Sequence, residues 1–149
     1  MSASPGLPAT RSAASLRVGD TLPQLAIPIT ATGIVAAAIA TRDYQNVHHD
    51  VEGARALGSP NIFMNILTTN GLVERFVTDW SGPDVFIRAI NIRLGVPNYP
   101  GDTMVFTGAI AAIGEDGEVT LDIQGKNSLG NHVTGTVRLL LAETGRESA

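Results

Sequence analysis

The sequence predicts an α+β domain in which one long helix lies against a curved sheet of antiparallel strands. Three observations lead there. Between residues 64 and 80 the apolar side chains of Ile66, Leu67, Leu72, Val73, Phe76, Val77 and Trp80 recur at the spacing of one helix face. From Pro83 onward the period drops to two, the alternation of strands with one buried face. The order is a short strand, a short helix, the long helix and then about four strands separated by turns, which a single sheet wrapped on one helix satisfies. At 149 residues the chain is long enough for one domain with a real core and too short for two.

Each element has a local reason. The first fifteen residues are mostly Ser, Ala, Pro and Gly without periodicity, so residues 1–17 read as a disordered tail, 18–143 as the domain and 144–149 as a frayed end. Leu22, Leu25, Ile27 and Ile29, punctuated by Pro23 and Pro28, read as a short strand at a sheet edge, because proline has no N–H to give to a ladder. Thr30 or Thr32 is placed to cap a helix through residues 33–40, whose alanines lose little side-chain entropy. That helix delivers Arg42 and Asp43 at its C-terminal end. A short helical piece follows over about residues 51–57, closed by Gly58, Ser59 and Pro60. Beyond the long helix, Val85, Ile87 and Ala89 alternate and then Ile90, Ile92 and Leu94, with a phase slip at Ala89/Ile90 that predicts a bulge. Residues 97–102 turn the chain toward a strand begun by Met104 and Phe106. Asp116-Gly117 predicts a hairpin, since glycine supplies the positive φ of a tight turn. Val119, Leu121 and Ile123 alternate, and a turn at 128–131 leads into a last strand over 133–141.

Composition narrows the function classes. With 44 % hydrophobic and 16 % charged residues and a mean hydropathy of +0.15, the chain carries more apolar material than a small domain hides alone. One sheet on one helix also leaves edges and an uncovered face, most simply buried by a second copy or a homologue. A formal net charge of −4 with 10 Lys and Arg offers no footprint for a phosphate polymer, and the few aromatic residues form no stacking platform. Nucleic acid is therefore not an expected partner. The absence of cysteine removes disulfide frameworks, thiolate nucleophiles, cysteine-based zinc sites and iron–sulfur clusters, and it fits a cytoplasmic protein. The longest apolar run, 33–40, is far short of the roughly 20 residues of a membrane span.

The chemistry concentrates in Arg42-Asp43-Tyr44-Gln45-Asn46-Val47-His48-His49-Asp50, which holds two of the three histidines and two carboxylates. On a straight helix Asp43 and His48 would stand about 140° apart, so they converge only if the helix breaks between them. Gln45-Asn46 supplies a break, because asparagine favours turns. A carboxylate and an imidazole brought together there can hold a water, one accepting its proton while the other donates or orients. A polar surface loop without chemistry has the same composition, and that alternative stays open on spacing alone. A metal site fits less well: His48, His49 and Asp50 are adjacent and diverge, and His132 is the one remaining imidazole.

The stretch resembles the signature of the MaoC-like (R)-specific enoyl-CoA hydratases, D-x-N-P-aliphatic-H followed by a small residue, with Asp43, Val47, His48 and Ala54 on the pattern. Gln45 and Asn46 replace the family's Asn-Pro, and Asn65-Ile66 stands where many members have His-Gly. Pro100-Gly101-Asp102-Thr103 resembles a family turn, and the likeness runs over about residues 20–142. It implies a hot-dog fold whose sheet continues across a dimer, with Asp43 and His48 as the catalytic pair hydrating a trans-2-enoyl-CoA to a 3-hydroxyacyl-CoA. It also implies substrate binding at Asn65 and Ile66, where a backbone N–H at the helix start takes the thioester oxygen. No cofactor is implied, coenzyme A entering as part of the substrate. More narrowly, residues 43–50, 61–67 and 93–97 are similar to small MaoC-like subunits of actinobacterial steroid side-chain hydratases. Such subunits pair with a second MaoC-like chain, which implies a heteromer, or a homomer, acting on a steroid side-chain acyl-CoA.

Two other readings use the same fold. A hot-dog thioesterase needs a carboxylate on the long helix, where Glu74 is the first acid. A non-catalytic acyl-CoA-binding subunit needs neither Asp43 nor His48. Arg75, Arg88, Arg93 and Lys126 read as solvated or ion-paired surface charges before they read as phosphate ligands. Trp80 reads as a packing anchor, His132 as structural, and Gly125, Gly130 and Gly135 as turn and bulge glycines.

Overall fold

The computed structural model of the chain describes residues 9–141. Five strands form one antiparallel sheet in the order β1-β3-β4-β5-β2. They are β1 (Leu25–Pro28), β2 (Val85–Leu94), β3 (Thr103–Ile113), β4 (Glu118–Asn127) and β5 (Gly130–Leu141), joined by helices α1 (Ala31–Ala40), α2 (Val51–Ala56) and α3 (Ile66–Ser81). The last three strands make a meander whose turns are those the sequence marks, with Gly117 at φ 79° and Gly130 at φ 133°. β2 returns beside β5 at one edge, and β1 pairs with β3 at the other. Proline at the end of β1 sits on that edge as expected.

Alternation along the strands turns one face inward. Met104, Phe106 and Ile110 of β3, Val119, Leu121 and Ile123 of β4, and Val133, Val137 and Leu139 of β5 are buried beneath Val73, Phe76 and Val77 of α3. Phe76 stacks on Phe106 with ring centroids 5.3 Å apart. Gly108 makes that possible, because a Cβ there would stand 3.1 Å from the Phe76 ring. The helix begins at Ile66, two residues after the start of the periodic stretch, since Asn65 takes the cap and accepts from the Thr68 N–H. The bulge falls between Ile87 and Ala89, one step before the expected slip.

The expected tail is corrected in part. Residues 1–8 lie outside the described residues, but 9–17 run along the end of α3, with a single 3₁₀ turn at Ala13–Ser15. Arg11 donates its N–H to Ser81 O at 2.8 Å and its Nε to Trp80 O at 2.7 Å, and its guanidinium lies 5.3 Å from the Trp80 ring centroid. Ala13 and Leu16 pack on the core. Hydropathy missed this segment because much of what holds it is polar: Arg11 on Trp80 and on the carbonyls that end α3, and Thr10 with Asp84. The expected frayed end, 144–149, lies outside the described residues. Among those residues no helix is long and apolar enough to cross a membrane.

β2 and β5 approach closely at Gly135, where a Cβ would stand 2.1 Å from Asn91 O. Gly135→Ala is expected to force the two strands apart and destabilise the fold by about 1–3 kcal/mol. Thermal melting followed by circular dichroism checks this, and a midpoint equal to the parent's would contradict the packing.

Candidate active site

Helix α1 is short, rich in alanine and capped by the Thr30 hydroxyl, which accepts from Gly33 N–H at 3.0 Å. Its C-terminal end is closed by two backbone bonds, Arg42 N–H to Ile39 O at 3.0 Å and Asp43 N–H to Ala38 O at 2.9 Å. These two bonds make a Schellman closure, with Arg42 in the left-handed position that glycine usually takes. Arg42 has φ 57°, and no other non-glycine residue among those described has a positive φ. The reversal aims the next residue, Asp43, back across the helix end.

The expected break between Asp43 and His48 is present. Gln45 is extended, and a 3₁₀ turn over Asn46–His48 follows, with His48 N–H donated to Gln45 O at 3.0 Å. Helix α2 rests directly on that turn. Its cap, Asp50, accepts from the N–H groups of Glu52 and Gly53, and a Cβ on Gly53 would meet Asn46 Cβ at 2.8 Å. His48 is therefore carried inward while Asp43 comes from the other side.

The two side chains meet. His48 Nε2 lies 3.3 Å from Asp43 Oδ2, with the imidazole 8 % and the carboxylate 17 % exposed. His48 Nδ1 lies 2.7 Å from Phe63 O. A carbonyl only accepts, so Nδ1 carries a proton, and in the neutral form of the ring Nε2 is the nitrogen with a lone pair on the carboxylate side. Phe63 also meets the imidazole edge to face, centroids 5.1 Å apart. Its N–H is bonded to Val47 O at 3.0 Å, so the ring's anchor is itself tied to the turn that carries the histidine.

Asn65 joins this arrangement in a way spacing did not reveal. Its Nδ2 donates to Asp43 Oδ2 at 3.1 Å and to Thr41 Oγ1 at 2.9 Å, while Oδ1 accepts from Thr68 N–H at 3.0 Å. The side chain is buried and its hydrogens are committed to the protein, so it holds the carboxylate. Ile66 begins α3, where N–H groups lack helical partners, and among the described residues no acceptor is bonded to the Ile66 or Leu67 N–H. The Ile66 side chain is 52 % exposed. Thr41 was missed by sequence reasoning, and its helix-terminal hydroxyl gives no signal of its own.

The remaining candidates lie elsewhere. Glu74 is exposed on the far side of α3 from the core. Arg75 pairs with Asp79, and Arg88 and Arg138 pair with Glu118. Arg93 and Lys126 are exposed strand residues. His49 Nε2 contacts Tyr44 O at 3.1 Å, away from the pair. Among the described residues no group of three His, Cys, Asp or Glu side chains is placed to hold a metal ion. His132 is buried, as expected of a structural histidine, and burial lowers its imidazole pKa against a smaller opposing effect of Val96 O.

A long helix cradled by five antiparallel strands, with a carboxylate facing an imidazole at the helix's start, defines a class: the chain belongs to the MaoC-like hot-dog hydratase family. No protein-family model matches it. It is 50 % identical over 127 residues to the 3-oxo-4,17-pregnadiene-20-carboxyl-CoA hydratase beta subunit of Mycobacterium tuberculosis, which covers 85 % of this chain and 98 % of that one. The crystal structure of the ChsH1–ChsH2 complex from Mycobacterium tuberculosis holds a chain 51 % identical, with a TM-score of 0.82 over 85 % of this chain and 98 % of that one. A solved MaoC-like dehydratase shares the fold at 24 % identity, with a TM-score of 0.83 over 91 % of this chain and 43 % of that one.

Two stability measurements test the site's scaffold. Arg42→Gly relieves a left-handed side-chain clash and is expected to raise stability by about 1 kcal/mol in urea unfolding; a loss of stability would contradict the closure. His132 has a folded pKa below its ordinary 6.5. The unfolded chain then binds the proton better, so its contribution is whole above about pH 6.5 and is lost as pH falls below that. Unfolding midpoints at pH 8 and pH 5 are expected to differ more in the parent than in His132→Gln, and equal differences would show that His132 does not titrate this way.

Proposed function

We propose that the chain is the catalytic subunit of a hydratase that adds water across a trans-2-enoyl-CoA to give a 3-hydroxyacyl-CoA. The observation that carries this reading is the 3.3 Å approach of His48 Nε2 to Asp43 Oδ2, with the other ring nitrogen tied to Phe63 O. Opened by about 1 Å from this contact, the two groups accept one O–H each from a single bridging water whose oxygen stands about 2.8 Å from both. The water oxygen then carries its lone pairs outward, toward a substrate β-carbon. As the C–O bond forms, the water's proton passes to the pair, and a proton is delivered from the pair to the α-carbon, so one water is added overall.

The negative charge that develops on the thioester oxygen is met at the start of α3. The Ile66 N–H is aimed out of the helix, where the peptide dipoles favour negative charge. Asn65 serves the site by holding Asp43, and its side chain makes no claim on the substrate. Addition of water to a conjugated thioester moves no electrons to a cofactor, and coenzyme A enters as the substrate's carrier.

The half-identical relative is named for a pregnadiene-carboxyl-CoA and as a beta subunit. On that likeness, and on the complex formed by the second relative, the substrate here is a steroid side-chain acyl-CoA and the partner a second MaoC-like chain, in the cytoplasm. Exposure supports a partner: Ile39, Tyr44, Ile66 and Leu67, which belong to the elements flanking the pair, are all about half or more open. A thioesterase reading has no support in the position of Glu74.

The test is loss of enoyl-thioester absorbance by the chain assembled with its partner. Asp43→Asn and His48→Gln are expected to lower kcat by about 10²–10⁴-fold while far-ultraviolet circular dichroism stays parental. Parental hydration by either folded variant would overturn the assignment.

A further inference from the structure

His132 is a buried histidine that hydration does not use, and both of its ring nitrogens are engaged. Nδ1 lies 2.7 Å from Val96 O and Nε2 lies 2.8 Å from Thr69 Oγ1. Val96 O only accepts, so Nδ1 carries the proton, Nε2 is an acceptor, and the Thr69 hydroxyl donates to it. His132 is 2 % and Thr69 0 % exposed, so neither contact competes with solvent. Burial also keeps the ring in its neutral form.

Thr69 lies one turn into α3 from Asn65, and its N–H is bonded to Asn65 O at 3.2 Å. Its hydroxyl has a second acceptor within range, the same Asn65 O at 3.4 Å, a longer contact. By drawing the hydroxyl hydrogen toward β5, His132 leaves Asn65 O to the backbone bond alone. The loop that receives Nδ1–H is fixed as well, through Gly95 N–H to His132 O at 2.8 Å and Val96 N–H to Asn131 O at 3.0 Å. A chain of polar contacts thus runs from the sheet through His132 and Thr69 to the first turn of α3, and from Asn65 Nδ2 to Asp43 Oδ2.

We propose that His132, acting through Thr69, is a positioning residue: it seats the first turn of α3 and so the Asn65 amide that holds the Asp43 carboxylate against His48. This rests on the reading of Asp43 and His48 as the hydrating pair. His132 and Thr69 touch neither of the two, so their effect falls on the rate of the chemical step and not on substrate affinity.

In the assembled hydratase, Thr69→Val, which keeps the shape and removes the hydroxyl, is expected to lower kcat about tenfold with KM changed by less than about twofold. Thr69→Ser restores the hydroxyl and is expected to return kcat close to the parental value. His132→Asn keeps a donor toward Val96 but is too short to place its amide oxygen where Nε2 meets Thr69, and is expected to match Thr69→Val; the double variant is expected to be no worse than either, because both cut one chain. Independently of activity, the Asn65 side-chain amide resonances of the full-length chain are expected to move in Thr69→Val and His132→Asn and to stay in Thr69→Ser. Parental kcat in folded Thr69→Val overturns the proposal, as does an unmoved Asn65 amide. If the parent itself hydrates no enoyl thioester, it is the reading of the pair that fails, and the amide resonances still decide the positioning role. Should Thr69→Val not fold, His132→Asn against Thr69→Ser makes the same comparison.

Discussion

Both hydrogens of the Asn65 amide go to groups at the end of α1, and its oxygen goes to the start of α3. One buried side chain therefore caps one helix and locks the C-terminal approach of another. A cap bond alone is worth about 1 kcal/mol, but the geometric consequence is larger. Asp43 sits just past a left-handed residue, on backbone that has no sheet or helix partner beyond its own N–H. Besides His48, the other contact on its carboxylate is a long one, from Gln45 N–H to Oδ1 at 3.5 Å, so the Asn65 amide is its shortest fixed donor. With Asn65 in place, the carboxylate is aimed at His48 and the helix that carries the donor is aimed at the same spot.

The histidine side obeys a separate constraint. Its ring is oriented by a backbone carbonyl, Phe63 O, and packed edge-on by the same residue's phenyl ring. Phe63 lies two residues before Asn65, in the short connection between α2 and α3 that is pinned by Phe63 N–H to Val47 O and by Met64 N–H to Asn98 O. Residues 63 to 66 thus supply the tautomer of the imidazole, the donor to the carboxylate and the free N–H at the helix start. Three features that the proposed hydration would use are built from four consecutive residues, so a shift of this connection moves all of them together.

Periodicity made the large elements legible: α3, the β3–β5 meander and the bulge in β2 each follow from a period of 3.6 or two, or from its slip. Turn chemistry gave the loss of helix between Asp43 and His48 but misplaced its cause, since the helix already ends at Ala40 and reverses at Arg42, and Asn46 opens a 3₁₀ turn. It did not give the work of Asn65, since a capping asparagine and an asparagine that also grips a carboxylate look alike until the two helix ends are adjacent. Nor did it give residues 9–17, held by Arg11 at the end of α3 and by Ala13 and Leu16 on the core, or the pairing of β2 with β5, which no local pattern encodes. Contacts between positions far apart in the chain leave no periodic trace, and they are the ones that assemble the site.

The replacement of the family's Asn-Pro by Gln45-Asn46 shows which part of the bend is essential. Asn46 is the first residue of the 3₁₀ turn, the place where proline's fixed φ and missing N–H are harmless. The turn is closed by His48 N–H to Gln45 O, His49 N–H to Asn46 O and Asp50 N–H to Asn46 O, all of which an asparagine at 46 permits. Proline would restrict the unfolded chain, an effect of roughly 0.4–1 kcal/mol on stability, but it is not what makes the chain turn. The reversal itself comes earlier, at Arg42, and the seating of the turn comes from α2, where Gly53 leaves room for Asn46. The direction in which His48 faces is therefore set by the residues on either side of the signature, and the signature can vary at 45 and 46 while the imidazole stays where the carboxylate needs it.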